Sequence, residues 1–328
     1  MDESRLAAEA NRLLPLARRV LRRYPFVTRT VEHLETHSNV MYRVVADNGT
    51  QMVLRVGTPH ANTRSNIAVE VAWLDALNRD TSLEVVRPIH TADGEMIVDE
   101  FDDDLGEERS CVLFSWIPGT PLAQGAGSFG YRLLGQMSAS LQLHGRDWWP
   151  DEPVELRRWN RVFYYGSDVD PVIINDPNYG HLFDVPRRST IAKAATASGT
   201  VIEHSWSDAQ AQVVHGDLHE WNVHIAGSRL YAFDFEDVML ALPAQDAAIS
   251  LYSSRRSTQK QEIRGAFRKG FETVAPWPLA DESQLDGFHA ARQIMLMNYA
   301  ARTLPMDEAA SYLDDVMPWL EAYVARYG

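Results

Sequence analysis

A carboxylate and a carboxamide lie five residues apart in the run Val213-Val214-His215-Gly216-Asp217-Leu218-His219-Glu220-Trp221-Asn222. Twelve residues after Asn222 comes a second carboxylate, Asp234, in Tyr231-Ala232-Phe233-Asp234-Phe235-Glu236-Asp237. Residues of these types suit phosphoryl transfer. An attacking hydroxyl needs a carboxylate within hydrogen-bond reach to orient it and accept its proton, which Asp217 can supply. Nucleotide phosphates travel with magnesium, a hard cation that takes oxygen ligands, and Asn222 and Asp234 offer an amide and a carboxylate oxygen. His215, His219 and the later His224 could also be read as a metal set. The intervening Gly216 and Trp221 and the strand-like flanks instead favour histidines that bond loop backbone. Glu236 can be read as a metal or substrate contact or as a solvated neighbour.

The Asp-to-Asn spacing matches that of the kinase catalytic loop, with the later aspartate in the metal-binding position. The set His215-Gly216-Asp217-Leu218-His219-x-x-Asn222, Phe233-Asp234-Phe235-Glu236-Asp237 and Gln245-Asp246 resembles the signature of the aminoglycoside phosphotransferase and choline kinase-like family. That family has a two-lobed, protein-kinase-like fold. It holds small-molecule kinases, homoserine kinases of the second type and a bacterial stress-response protein kinase. The resemblance implies that Asp217 is the catalytic base, that Asn222 and Asp234 are magnesium ligands, and that His215 and Asp246 brace the loop. A helix N-cap is the competing reading for Asp246. The resemblance also implies a phosphate-binding cation on the third strand and a partner glutamate on the next helix. Here those positions hold Arg55 and Glu70, so arginine replaces the usual lysine; its planar fork bonds phosphate or carboxylate in bidentate fashion. Ser38 and Asn39, in the turn Thr36-His37-Ser38-Asn39, are the expected phosphate donors, and backbone from Ser115 to Ile117 is the expected adenine contact.

Strands and helices at particular places are needed to position these groups. Residues 3–23 read as an amphipathic helix, with Leu6, Ala10, Leu13, Leu14, Ala17 and Leu21 at spacings of three and four and Pro15 expected to split or kink it. Strands are predicted at Val40–Val45 and Gln51–Val56 around the turn Asp47-Asn48-Gly49, on both sides of Asp93-Gly94, and from Cys111 to Trp116. A helix over 65–79 carries Ile67, Val71, Leu74 and Leu77 on one face. Beyond Pro118-Gly119, helices are predicted near 127–144, 187–204, 243–253, 259–273, 283–302 and 308–326, with one strand–loop–strand–turn–strand segment at 212–235. The fold class is α+β in two lobes: a nucleotide-binding N-terminal lobe over 1–117, with an antiparallel sheet, a helix and the extra helix 3–23, and a mostly helical catalytic and acceptor-binding lobe over 118–328. Trp148, Trp149, Trp159, Phe163, Tyr164, Tyr165 and Tyr179 either line an acceptor pocket or anchor the core beneath a long loop. Asp281 and Glu282 are further candidates to face the acceptor.

Composition limits the function classes. With 31 basic and 45 acidic residues the net charge is −14, which argues against nucleic acid or an anionic membrane as partner. No stretch approaches the roughly 18 uncharged apolar residues of a membrane span, and no signal pattern opens the chain, so a cytoplasmic location is expected. The single cysteine, Cys111, lies in an apolar run and reads as a buried thiol. Lysine occurs only at positions 193, 260 and 269, so the first 192 residues must manage their chemistry without it. The expected activity uses ATP and Mg2+ to phosphorylate a hydroxyl of an aminoglycoside, amino alcohol, homoserine or sugar-like acceptor. The alternatives are a serine/threonine protein kinase of the stress-response type and a nucleotide-binding regulator that lacks turnover.

Overall fold

A computed structural model describes residues 3–36, 38–58, 62–104, 106–125, 127–151, 154, 156–166, 170–208 and 210–328. The chain forms two compact units. One comprises Met1–Gly119, Pro150–Glu155 and Tyr231–Glu236, and the other Thr120–Trp149, Leu156–Leu230 and Asp237–Gly328.

The first unit opens with helix α1 (Glu3–Leu21), followed by strands β1 (Thr28–Thr36), β2 (Asn39–Ala46) and β3 (Gln51–Gly57), helix α2 (Arg64–Asp80), and strands β4 (Val98–Asp102) and β5 (Glu107–Ser115). The strands form one antiparallel sheet in the order β1-β2-β3-β5-β4. Alternation along β3 sends Met52, Leu54 and Val56 into a cluster with Leu13, Leu16, Ala17 and Val20 of α1. Arg55, between Leu54 and Val56, therefore points to the other side, where it meets α2. Helix α1 runs unbroken through Pro15, because Pro15 is exposed and the hydrogen bond it forfeits lies on the solvent side. The side chain of Leu6 lies outside the described residues. Gly49, at φ +84°, makes the turn between β2 and β3. Among the described residues no strand forms before Asp93-Gly94, where one was expected. Val85 and Pro88 make isolated bridges there, and Pro88 has no N–H to extend a ladder.

The second unit carries β6 (Thr120–Pro121), α3 (Gly127–Asp147), α4 (Val185–Asp208), β7 (Gln212–Val214) and β8 (Val223–Ala226). Then come β9 (Arg229–Ala232), whose last two residues belong to the first unit, β10 (Met239–Ala241), and helices α5 (Pro243–Leu251), α6 (Lys260–Phe271), α7 (Glu282–Thr303) and α8 (Met306–Tyr327). β7 pairs antiparallel with β10, a strand not anticipated from sequence, and β6, β8 and β9 form a small second sheet. The core joins α4, α5, α7 and α8 around Trp159, Phe183, Phe288 and Leu320. Helices α3 and α6 cross closely: a Cβ at Gly270 would lie 1.9 Å from the Arg132 carbonyl oxygen, and one at Gly135 2.0 Å from that of Phe267. Among the described residues, no helix is long and apolar enough to cross a membrane.

Candidate active site

In the second unit, Asp217 lies in the loop from β7 to β8. Val213 and Val214 are fully buried where β7 pairs with β10, and Val223, equally buried, starts β8, so both loop ends are anchored in core. Gly216 adopts φ +82°, and a Cβ on it would lie 2.1 Å from the Asp237 carbonyl oxygen, so only glycine fits. The Gly216 N–H donates to Asp246 at 3.1 Å, and Gln142 Nε2 donates to the same carboxylate at 3.1 Å. Asp246 is fully buried in the first turn of α5, while the N-cap position belongs to Leu242. It therefore links α3 and α5 to the loop and does not cap the helix. Burial, opposed by these two hydrogen bonds, pushes its pKa up to about 6. His215 Nδ1 accepts the Asp217 N–H at 3.2 Å, and His219 Nδ1 accepts the Trp221 N–H at 3.2 Å. These two rings bond loop backbone.

Both carboxylate oxygens of Asp217 are engaged. Arg292 Nη2, reaching over from α7, donates to Oδ1. Asn222 Nδ2 at 3.0 Å and His219 Nε2 at 3.3 Å meet Oδ2. Asn222 Nδ2 also reaches the Asp217 carbonyl at 2.9 Å. The amide nitrogen is thus turned to Asp217, which leaves the Asn222 carbonyl oxygen as the group suited to a hard cation. Burial raises the Asp217 pKa most, but the charges of Arg292 and His219 and their hydrogen bonds together outweigh it. They hold the carboxyl well below the usual range. Arg292 was not singled out from sequence. The signal it left is a charged residue inside the buried run Gly287–Met295 of α7. Asp237 accepts from Arg157 at 2.8 Å and from the Tyr165 hydroxyl at 2.6 Å, and burial raises its pKa.

In the first unit, Arg55 and Glu70 form a buried bidentate pair, with Nη1 to Oε1 at 2.8 Å and Nη2 to Oε2 at 2.5 Å. The guanidinium lies 5.2 Å over the Phe114 ring. Burial opposes its charge most strongly, yet Glu70, then Glu236 and Asp234, hold its proton more tightly than usual. Ser38 Oγ (3.1 Å), Asn39 Nδ2 (2.7 Å) and Asn62 Nδ2 (3.2 Å) all donate to the Glu236 carboxylate, and Arg55 Nη1 lies 4.0 Å from it. The residues expected to bind phosphate therefore already surround an anion. Phe235, fully buried against Trp73 with ring centroids 5.5 Å apart, fixes this segment to α2. Asp234 has φ +63°, and among the described residues it is the one non-glycine in the left-handed region. Strain of this kind persists where the surroundings enforce it, often at functional sites. The Ser115 N–H donates to the Arg87 carbonyl at 2.8 Å and its Oγ accepts the Arg87 N–H at 3.0 Å. His37, in the turn before Ser38, lies outside the described residues.

A sequence model of the phosphotransferase enzyme family matches residues 30–288. This chain belongs to the phosphotransferase enzyme family. An uncharacterized protein, sll1119 of Synechocystis sp., is 26% identical over 264 residues, which is 78% of this chain and 69% of that one. Among solved structures, a microcompartment-associated aminopropanol kinase superposes with a TM-score of 0.77 at 20% identity, covering 96% of this chain and 97% of its own. An amicoumacin kinase, hAmiN, in complex with AMP-PNP, Ca2+ and Ami superposes with a TM-score of 0.75 at 16% identity, covering 99% and 96%. The α+β, kinase-like fold expected from sequence is the fold of these family structures.

The remaining candidates divide by burial. Trp159 and Tyr164 are core residues of the second unit, Phe163, Tyr165 and Tyr179 pack against that core, and Trp149 is exposed. The core-anchor reading thus fits most of the aromatic group, and Trp148 is half-buried. Asp281 caps α7 by accepting the Gln284 N–H, and Glu282 pairs with Arg264, so both have structural partners. Cys111 is fully buried, and burial raises its thiol pKa.

Proposed function

We propose that this family member is an ATP- and Mg2+-dependent kinase that transfers the γ-phosphate to a hydroxyl of a small molecule. The observation that supports this most is Asp217: a half-buried carboxylate, kept ionised, with three side chains fixing its two oxygens. In this reading Asp217 aligns the hydroxyl of the acceptor. The hydroxyl oxygen bonds to the terminal phosphorus, the bond from that phosphorus to its bridging oxygen breaks, and ADP leaves. The hydroxyl proton passes to Asp217 and on to solvent. The depressed pKa makes Asp217 a weak base, so its contribution is chiefly orientation, with proton transfer late.

The first unit is assigned to the nucleotide and the second to the acceptor and the base. Arg55, aligned by Glu70, steadies phosphate oxygens with a cation that cannot deprotonate. Ser38 and Asn39 add neutral donors, and the Ile117 backbone addresses the base. Asn222 and Asp234 would hold magnesium, and their oxygen donors fit a hard cation. When bound, the cation neutralises phosphate charge. His215 and Asp246 hold the loop that presents Asp217. A cytoplasmic location follows from the use of ATP.

The test is an ATP-consumption screen against amino alcohols, sugars, homoserine and aminoglycosides, with Asp217→Asn as control. The reading predicts turnover with at least one acceptor and its loss in the variant. Phosphate incorporated only into protein would replace the small-molecule acceptor with a protein one. Tight ATP binding without transfer to any acceptor would make the chain a regulator.

A further inference from the structure

Arg292 brings a positive charge to the carboxylate where the acceptor hydroxyl has to bind. We propose that Arg292, backed by Arg255, recognises an anionic group of the acceptor, so that the acceptor is a small alcohol bearing a carboxylate or phosphate beside its reacting hydroxyl. This rests on the reading of Asp217 as the base.

A hydroxyl bonded to Asp217 lies within a few bond lengths of the guanidinium on Oδ1. Arg292 keeps donors to spare: Nε is buried without a partner, and Nη1 donates to no described residue. The side chain is 8% exposed, so its field is weakly screened by solvent. An ammonium group next to the reacting hydroxyl would meet a like charge there, and a carboxylate or phosphate would meet a matched fork.

The Arg292–Asp217 pair is neutral as a whole, so the excess positive charge at the site comes from Arg255. Asp217 is engaged by Arg292, Asp237 by Arg157 and Tyr165, and Asp246 by Gly216 and Gln142. Arg255 then adds a second buried cation. Its guanidinium lies 3.6 Å over the Tyr252 ring, and that of Arg292 lies 5.5 Å from the same ring. Arg255 bonds only neutral acceptors, the Tyr252 carbonyl at 2.8 Å, the Tyr252 hydroxyl at 2.9 Å and Gln293 Oε1. Among the described residues no carboxylate pairs with it. A buried cation without a counter-charge is costly, and an anionic ligand is the missing partner that would offset it. His289, fully buried against the Ala248 carbonyl, is kept neutral by burial and by these arginines and adds no charge of its own.

The test compares four three-carbon alcohols of similar size: glycerate, glycerol phosphate, glycerol and serinol, which carry a carboxylate, a phosphate, no charge and an ammonium group. Binding to the full-length protein is followed by calorimetry and turnover by ADP release. At least one anionic alcohol is expected to bind and react about 10- to 100-fold better than glycerol, the range of a hydrogen bond to a charged group, with serinol poorest. The difference between glycerate and glycerol phosphate tells carboxylate from phosphate. Arg292→Met is expected to remove the advantage through KM, and Arg255→Gln to reduce it. The wild-type ranking stands as a test even if a variant fails to fold. Binding of neither anionic alcohol, or a preference for serinol, overturns the proposal. If serinol or an aminoglycoside is the good substrate and Asp217→Asn abolishes that turnover, the acceptor class is wrong while the base assignment survives. If Asp217→Asn leaves turnover intact, the base reading fails.

Discussion

At Arg55 the lysine deficit of the first 192 residues becomes a specific pair of side chains. Arg55→Ala leaves Glu70 buried with no bidentate partner, and breaking a buried pair from one side costs about 3–5 kcal/mol. Denaturant unfolding should show a loss of that size, and Arg55→Lys, which keeps the charge but loses the fork, should lose less. Equal losses would show that the fork adds nothing. Asp246 makes a prediction with pH. Its folded pKa of about 6 lies above the ordinary carboxylate value of 3.8, so the folded state holds the proton more tightly than the unfolded one. Stability from this group is therefore greatest below the unfolded value and falls as pH rises through about 6. Compared with Asp246→Asn, the wild type should lose stability between pH 4 and 6 and then level off. Asp217, shifted the opposite way, keeps its contribution above its unfolded value and loses it only in strong acid. The Asp217–Asn222 and Arg55–Glu70 contacts were legible in sequence because a motif and a strand-to-helix pairing mark them, and the same motif singles out Asp234 as a candidate. Arg292 was not, because a helix seventy-five residues away in the chain delivers it to Asp217 and no local pattern records that distance.

At the scale of elements, the loop between β7 and β8 depends on close backbone approach. Gly216→Ala would force a Cβ to within 2.1 Å of the Asp237 carbonyl oxygen at φ +82°. A loss of about 2–4 kcal/mol and a large fall in turnover are expected, read by thermal unfolding and by ADP release. Unchanged stability would mean that the loop relaxes freely. Gly270→Ala should push α6 from α3 and lower the unfolding temperature, with less effect on turnover, since that crossing lies outside the Asp217 loop. Helix positions were readable because apolar periodicity over long windows is a strong signal. The short β10 and the missing strand before Asp93-Gly94 were not, because three-residue pairings and isolated bridges are decided by tertiary contacts. Pro15 misled for a related reason. Whether proline breaks a helix depends on which face it occupies, and the exposed face of α1 accommodates it.

At the scale of the molecule, the family match over residues 30–288 and the fold of the family structures agree with the order of elements, strands first and helices second. Acidity now has a local account. Part of the −14 charge lies in Asp217, Asp234, Glu236 and Asp237, and of these Asp217 and Asp237 face arginines while Glu236 gathers the Ser38, Asn39 and Asn62 donors. A cationic acceptor therefore does not follow from net charge. In the proposed mechanism Asp217 orients the acceptor hydroxyl and does not hold the nucleotide. The most direct test is Asp217→Asn, with magnesium–ATP binding followed by calorimetry and phosphate transfer by ADP release on the same preparation. ATP affinity within a few-fold of wild type and a fall in turnover of about 100- to 10,000-fold are expected. Near-normal turnover, or loss of ATP binding in step with activity, would contradict that mechanism.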